Sequence, residues 1–208
     1  MKKFLTFCAR QELTFGPYEA TDNPRLHYGP VGQSAKATRF PILAAMYGYT
    51  DPGDTIEVLA VVEDRPDCQN NAALLEEEVQ EFCAERNVTL RSGKVVQIPI
   101  PNDEGIDTLL KAFQAIIENI EDQDVIHACI TYSTKTNMIT ELMALRYARM
   151  VKKDTFIECV VYGDMNFQTK KKRIRDVTPL VQLDDILRMI THLDLQQPEK
   201  KIRELLHL

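Results

Sequence analysis

The chain has 208 residues, 44% of them apolar, and a formal net charge of −6. That length is about one domain at the usual ~100–200 residues each, and the apolar share is enough for a core, which excludes an intrinsically disordered chain. The acidic balance argues against a protein that coats duplex nucleic acid, because such proteins carry a basic face.

Lys3 to Phe7 is a short apolar run that suits a buried first strand. Residues 8–34 carry Gly16, Pro17, Pro24, Gly29, Pro30 and Gly32 and read as a long punctuated loop. Ser34 is placed to cap a helix from Ala35 to about Tyr47, which Pro41 must start late or kink. Thr55 to Val62 is a second strand, announced by the turn at Asp51–Asp54. Asn70 to Arg86 is an amphipathic helix with Leu75, Val79 and Phe82 on one face and Glu76–Glu78 in solvent. Val95 to Ile100 is a third strand. Gly105 to Ile120 is a helix whose stripe is Leu109, Leu110, Phe113, Ile116, Ile117 and Ile120.

Val125 to Thr131 is a fourth strand. Asn137 to Val151 is a helix with Met138, Leu142, Leu145 and Met150 near one face. Phe156 to Tyr162 is a fifth strand. Beyond it come the basic cluster Lys170–Arg173, a short strand at Ile174–Val177, and helices over Pro179–Leu193 and Pro198–Leu206. Strands alternating with helices predict βαβ units. Right-handed crossovers then favour an α/β, Rossmann-like doubly wound, mostly parallel sheet with a short C-terminal helical extension. The expected division is a Rossmann-like domain at 1–165 and an extension at 166–208.

The five cysteines, Cys8, Cys68, Cys83, Cys129 and Cys159, are odd in number and form no CxxC pair. They are expected to be buried reduced thiols rather than disulfides or a zinc site. No signal peptide or membrane span is legible, so the chain is expected to be cytoplasmic, with no membrane partner. Neither GxGxxG nor GxxxxGK[ST] occurs, so dinucleotide and P-loop chemistry are not expected, and neither is any cofactor or metal.

In a doubly wound sheet, ligands bind beyond the carboxyl ends of the strands, where strand order reverses. For the order third-second-first-fourth-fifth, that point lies between the first and fourth strands. It selects the segment from Cys8, with Ala9, Arg10 and Gln11, and the turn Thr131-Tyr-Ser-Thr-Lys135-Thr-Asn137. In that turn Thr136 or Asn137 suits a helix N-cap. Free backbone N–H groups at a helix start favour an anion, and hydroxyls and an ammonium add donors. A polar turn that only caps the helix fits the residues as well. His27, Lys36, Arg39 and Asp164 are further candidates to reach a cleft, while His127 reads as a core histidine and Lys170–Arg173 as a solvated turn.

The turn Thr131–Met138 resembles the T-G-G-T-K-x-M type of motif of CARF domains, the CRISPR-associated Rossmann folds. Leu142–Ala148 is similar to the helix that follows that motif. Cys159-Val-Val-Tyr-Gly163 resembles the next strand, and Thr178–Asp184 the short tail segment. The likeness is best over residues 124–192. Tyr132 and Ser133 stand where the motif has two glycines, which puts bulk near the ligand.

The resemblance implies a homodimer that binds a cyclic oligoadenylate, most simply the two-fold symmetric cyclic tetra-adenylate. Carried over by residue, Thr131, Ser133, Thr134, Lys135 and Asn137 line the cleft, faced by Ala9, Arg10 and Gln11. Lys135 counters phosphate, and Arg10 does likewise or stacks on adenine. Lys135 and Ser133 are the residues for a metal-independent cleavage in which a ribose 2′-OH attacks the adjacent phosphate. A fused HEPN ribonuclease is not expected, since Arg188/His192 and Arg203/His207 are one residue too close for its motif. A non-catalytic sensor or adaptor, or an unrelated Rossmann-like nucleotide-binding enzyme, are the alternatives.

Overall fold

A computed structural model describes residues 1–166 and 168–192, with positions 200 and 203. The helix expected over Pro198–Leu206 otherwise lies outside the described residues. The elements run β1 (Lys2–Phe7), β2 (Gly16–Ala20), a 3-10 turn (Pro24–Leu26), β3 (Ala37–Thr38), α1 (Ile42–Tyr49), β4 (Thr55–Glu63) and α2 (Pro66–Arg86). Then come β5 (Thr89–Leu90), β6 (Val96–Ile100), α3 (Ile106–Glu118), β7 (Val125–Cys129), α4 (Lys135–Val151), β8 (Phe156–Met165), β9 (Lys172–Asp176) and α5 (Thr178–His192).

The sheet order is β3-β2-β9-β8-β7-β1-β4-β5, with β6 also on β4. β5 pairs with the start of β4 and β6 with its end, so the two share one edge. The central strands β6-β4-β1-β7-β8 are all parallel, which is the expected third-second-first-fourth-fifth order. Its reversal falls between β1 and β7. The two antiparallel pairings are β8 with β9 and β2 with β3.

Strand alternation splits the core in two. Phe4, Ile56, Val58 and Ala60 face α1 and α2, while Leu5, Phe7, Leu59 and Val61 face α3 and α4. A sheet covered on both faces needs apolar residues on both, which is why its strands read as continuous apolar runs. The described residues contain no helix long and apolar enough to cross a membrane.

Three expectations change. The loop at 8–34 contains β2 and a 3-10 turn, because β2 adds to the edge strand β9 in parallel register from Tyr18↔Lys172 to Ala20↔Ile174. The first helix begins at Ile42 with Pro41 at its N-cap and Ser34 outside it, since the ring that removes a donor is tolerated only at a helix start. β9 is paired along β8 and beside β2, so the strand assigned to the 166–208 extension completes the sheet. Gly163, where β8 meets its neighbours, must be glycine: a Cβ there would sit 2.6 Å from Pro41 Cγ.

Candidate functional site

The two selected segments meet. Ala9, Arg10 and Gln11 line one side of a cavity of about 220 Å³, and Thr131, Tyr132, Ser133 and Thr134 line the other. A neighbouring cavity of about 290 Å³ shares Gln11, Thr131 and Tyr132 and adds Tyr162, Asp164 and Lys172. Both lie at the carboxyl ends of β1, β7 and β8, where the strand order reverses.

The first segment is held from below by α2. Asn71 Nδ2 donates to the carbonyl oxygens of Ala9 and Gln11, both at 2.9 Å. The Cys68 thiol contacts the Ala9 carbonyl at 3.4 Å. Five free, buried cysteines are as expected, and burial pushes the Cys8 thiol up to about 12, which removes it as a nucleophile at neutral pH.

In the second segment, Thr134 is the N-cap of α4, its Oγ1 accepting from the Asn137 amide at 3.3 Å. Thr136 and Asn137, expected as caps, do other work. Asn137 is buried, and its Nδ2 donates to Glu63 Oε1 at 2.8 Å. It supports the turn from beneath and does not line either cavity. Thr131 Oγ1 accepts from the Gly163 amide at 2.8 Å and so ties the turn to β8. Ser133 Oγ donates to the Ile130 carbonyl at 3.3 Å.

Tyr132, in the place of a motif glycine, turns into the protein. Its hydroxyl donates to the Arg39 carbonyl at 2.5 Å and meets the Tyr18 hydroxyl at 2.9 Å. Burial pushes the Tyr132 phenol far up and that of Tyr18 up to about 12. Both are neutral donors at pH 7; Tyr132 lines both cavities and Tyr18 the second.

Arg10 is not the free cation expected. Its Nε and Nη2 donate to the two oxygens of Glu63 at 2.6 and 2.8 Å, and its Nη1 donates to Glu104 at 2.7 Å. The fork to Glu63 holds the guanidinium pKa above its ordinary value. Glu104 in turn accepts from Thr136 Oγ1 at 2.6 Å. The Thr136 bond first, then Arg10, hold its carboxyl below the usual range. A carboxylate of the chain itself thus bridges Arg10 and the start of α4. Lys135, the first residue of α4, is exposed beside the cavity rather than among its lining. It makes no hydrogen bond or ion pair among the described residues.

Other candidates fall elsewhere. His27 lines a separate cavity of about 650 Å³ with Gly32–Ala35. Lys36 is paired with Glu85, and Arg39 with Glu78 at 2.9 Å. His127 is a core histidine, stacked on Phe4 at 4.5 Å and hydrogen-bonded to Glu158 at 3.2 Å. Asp164 borders the second cavity, accepting from Arg175 Nε at 3.2 Å. Lys172 departs from the solvated-turn reading: it is buried, its ammonium bonds the carbonyls of Thr14 and Thr38, and it lies 4.7 Å from the Tyr18 ring centroid. Burial holds its pKa below the lysine range. Glu63, Glu104, Asn71 and Lys172 are the residues of this site that sequence reasoning missed. No group of His, Cys, Asp and Glu suited to a metal occurs among the described residues.

No family model and no curated protein matches this sequence.

Proposed function

We propose that the chain binds a cyclic oligoadenylate, cyclic tetra-adenylate first, in a cleft completed by a second copy of itself. The observation that carries this reading is the convergence of Ala9–Gln11 with Thr131–Thr134 at the reversal of strand order. The cavities of about 220 and 290 Å³ each fall below the ~300–1,000 Å³ of small-molecule pockets. One chain therefore offers part of a site for a four-nucleotide ring, and a two-fold mate supplies the same loops again. Lys135, uncompensated at a helix start, is the cation for a ring phosphate.

Ring opening is the second reading, favoured by that free ammonium. The ribose 2′-OH would release its proton to water as its oxygen bonds to the adjacent phosphorus, the P–O5′ bond would break, and the 5′-oxygen would take up a proton from water, leaving a 2′,3′-cyclic phosphate. Lys135 would stabilise the charge that develops, joined by Ser133 once its hydroxyl turns from the Ile130 carbonyl to the phosphate. A sensor that binds without cutting differs only in returning the ring intact.

Calorimetry with cyclic tetra-adenylate tests the site. Lys135→Ala is expected to weaken binding by ~10–100-fold, the worth of a hydrogen bond to a charged group, and chromatography of the same mixtures reads cleavage. Unchanged binding by Lys135→Ala would overturn the assignment. Glu104→Gln is expected to tighten binding several-fold, because the ligand then displaces a neutral amide from Arg10 instead of a carboxylate. Equal or weaker binding than wild type would show that Arg10 takes no part.

A further inference from the structure

The outward faces of α3 and α4 are apolar where a solvated helix face carries charge. Ile106, Leu110, Ile139, Met143, Tyr147 and Met150 are all largely exposed, Ile106 at 68% and Met150 at 72%. On α4 the last four recur at i, i+4, i+8 and i+11, one stripe opposite the buried, sheet-facing Ala144, Leu145 and Ala148. Between the two helices runs a groove of about 350 Å³ whose lining is apolar apart from Thr136 and Thr140. Packing on the sheet uses one side of each helix and leaves this apolar side uncovered.

Residues 193–208 follow α5, and of these only positions 200 and 203 are described. Their sequence, LDLQQPEKKIRELLHL, holds another amphipathic pattern. From Pro198, which suits the first turn of a helix, Ile202, Leu205 and Leu206 recur at i, i+3 and i+4. Lys200, Arg203, Glu204 and His207 fall on the opposite side at ~100° per residue. Lys200 and Arg203 are exposed, as that division requires. A helix this short is marginal in isolation and draws its stability from burying its stripe.

We infer that residues 198–208 pack as a helix along the groove between α3 and α4, so that the tail of the chain covers its own apolar face. The reach is sufficient. α5 lies alongside α4, with Asp184 paired to Arg146 and Asp185 to Arg149, and Arg149 precedes Met150, the end of the stripe. Residues 193–197, extended, span ~17 Å, enough to cross α4, whose diameter with side chains is ~10–12 Å. The lengths match as well. At ~1.5 Å per residue, a helix over 198–208 and the stripe from Ile139 to Met150 are each ~16 Å long. A tail that enters at Met150 runs antiparallel to α4 and brings Leu205 and Leu206 to Met143 and Ile139.

Tethering favours this occupant over a free one, because a short linker holds its segment at an effective concentration in the millimolar range. A membrane surface fits less well. It calls for a basic margin, and the nearby Arg146 and Arg149 are already paired.

Cross-linking of the whole chain tests this placement. The native cysteines are all buried, so two introduced thiols are read by themselves. Met143→Cys with Leu206→Cys is expected to couple within one chain through a short bis-maleimide, seen as a joined pair of tryptic peptides at monomer mass. Glu77→Cys with Leu206→Cys is expected not to couple, since Glu77 is exposed on α2, across the sheet from α3 and α4. Coupling of Met143→Cys with Leu206→Cys only between chains would give the face to a second copy and overturn the inference. So would equal coupling in both variants, or none in either. A second readout leaves the groove native. Leu205→Lys with Leu206→Lys is expected to raise the fluorescence of anilinonaphthalene sulfonate several-fold while the thermal unfolding transition is retained, as the stripe is uncovered. Unchanged dye binding would also overturn the inference. A wild type that binds no ring removes the ligand reading above and leaves this placement standing.

Discussion

Glu63→Ala is expected to lower stability by about 3 kcal/mol and melting temperature by roughly 6–12 °C, at the ~2–4 °C per kcal/mol of a chain this size. Glu63 closes β4 and is 3% exposed. One carboxylate accepts both arms of the Arg10 fork and the side-chain amide of Asn137. It fastens the loop after β1 to the first turn of α4, the two walls of the cleft. Alanine leaves the buried Asn137 amide without an acceptor, which costs the desolvation of that group. Arg10 is about a quarter exposed, so water recovers part of its loss, and the figure is set below the upper limit for a broken buried pair. Glu63→Gln, which keeps an acceptor but no charge, should fall between. Thermal unfolding read by circular dichroism checks this, and a shift under 2 °C for the alanine variant would contradict it.

Glu141→Met is expected to stabilise the fold by about 2 kcal/mol at pH 7, within the ~1–3 kcal/mol that an unsatisfied buried polar group costs. Glu141 lies on the sheet side of α4, one turn beyond Asn137, fully buried with neither carboxylate oxygen hydrogen-bonded. Burial raises its pKa well above the ordinary 4.5. The folded state therefore holds this proton more tightly than the unfolded state. Above pH 4.5 the unfolded chain releases the proton while the folded chain keeps it, so stability falls as pH rises from there toward the raised value. Methionine has similar length and no charge, so it removes both the penalty and its slope. Urea unfolding at pH 5 and pH 8 should show the variant ahead by more at pH 8. A less stable variant, or an equal gap at both pH values, would contradict the assignment.

The parallel core was legible because its signals are local. Apolar runs such as TIEVLAVV end at turn residues, and the long helices repeat at 3.6 residues, so topology followed from chain order and handedness. The edge was not. β2 buries only Tyr18 along GPYEA, and its partner β9 lies some 150 residues away, so nothing near it announces a strand. The same strand hides Lys172. In a run of three lysines no residue is marked, and only the period of two in β9 buries Lys172 and Ile174 while exposing Lys171 and Arg173.

The candidate site shows the same division. The Thr131–Asn137 turn is a strand-to-helix junction dense in donors, and fold rules alone bring it to Ala9–Gln11. That Arg10 arrives already neutralised could not be read, because Glu63 reaches it from the end of β4 and Glu104 from the loop between β6 and α3. Which of Thr134, Thr136 and Asn137 caps α4 depended on where β7 stops. It stops at Cys129 rather than Thr131, which leaves Thr134 at the junction.

The proposed binding of a cyclic oligoadenylate between two chains, beside Arg10 and Lys135 of each, has one direct test. Titration of the purified wild-type chain with cyclic tri-, tetra- and hexa-adenylate by calorimetry, without added metal, measures this directly. Saturable binding of cyclic tetra-adenylate at one ring per two chains is the expected result. Binding of none of the three rings, or a stoichiometry of one ring per chain, would contradict it.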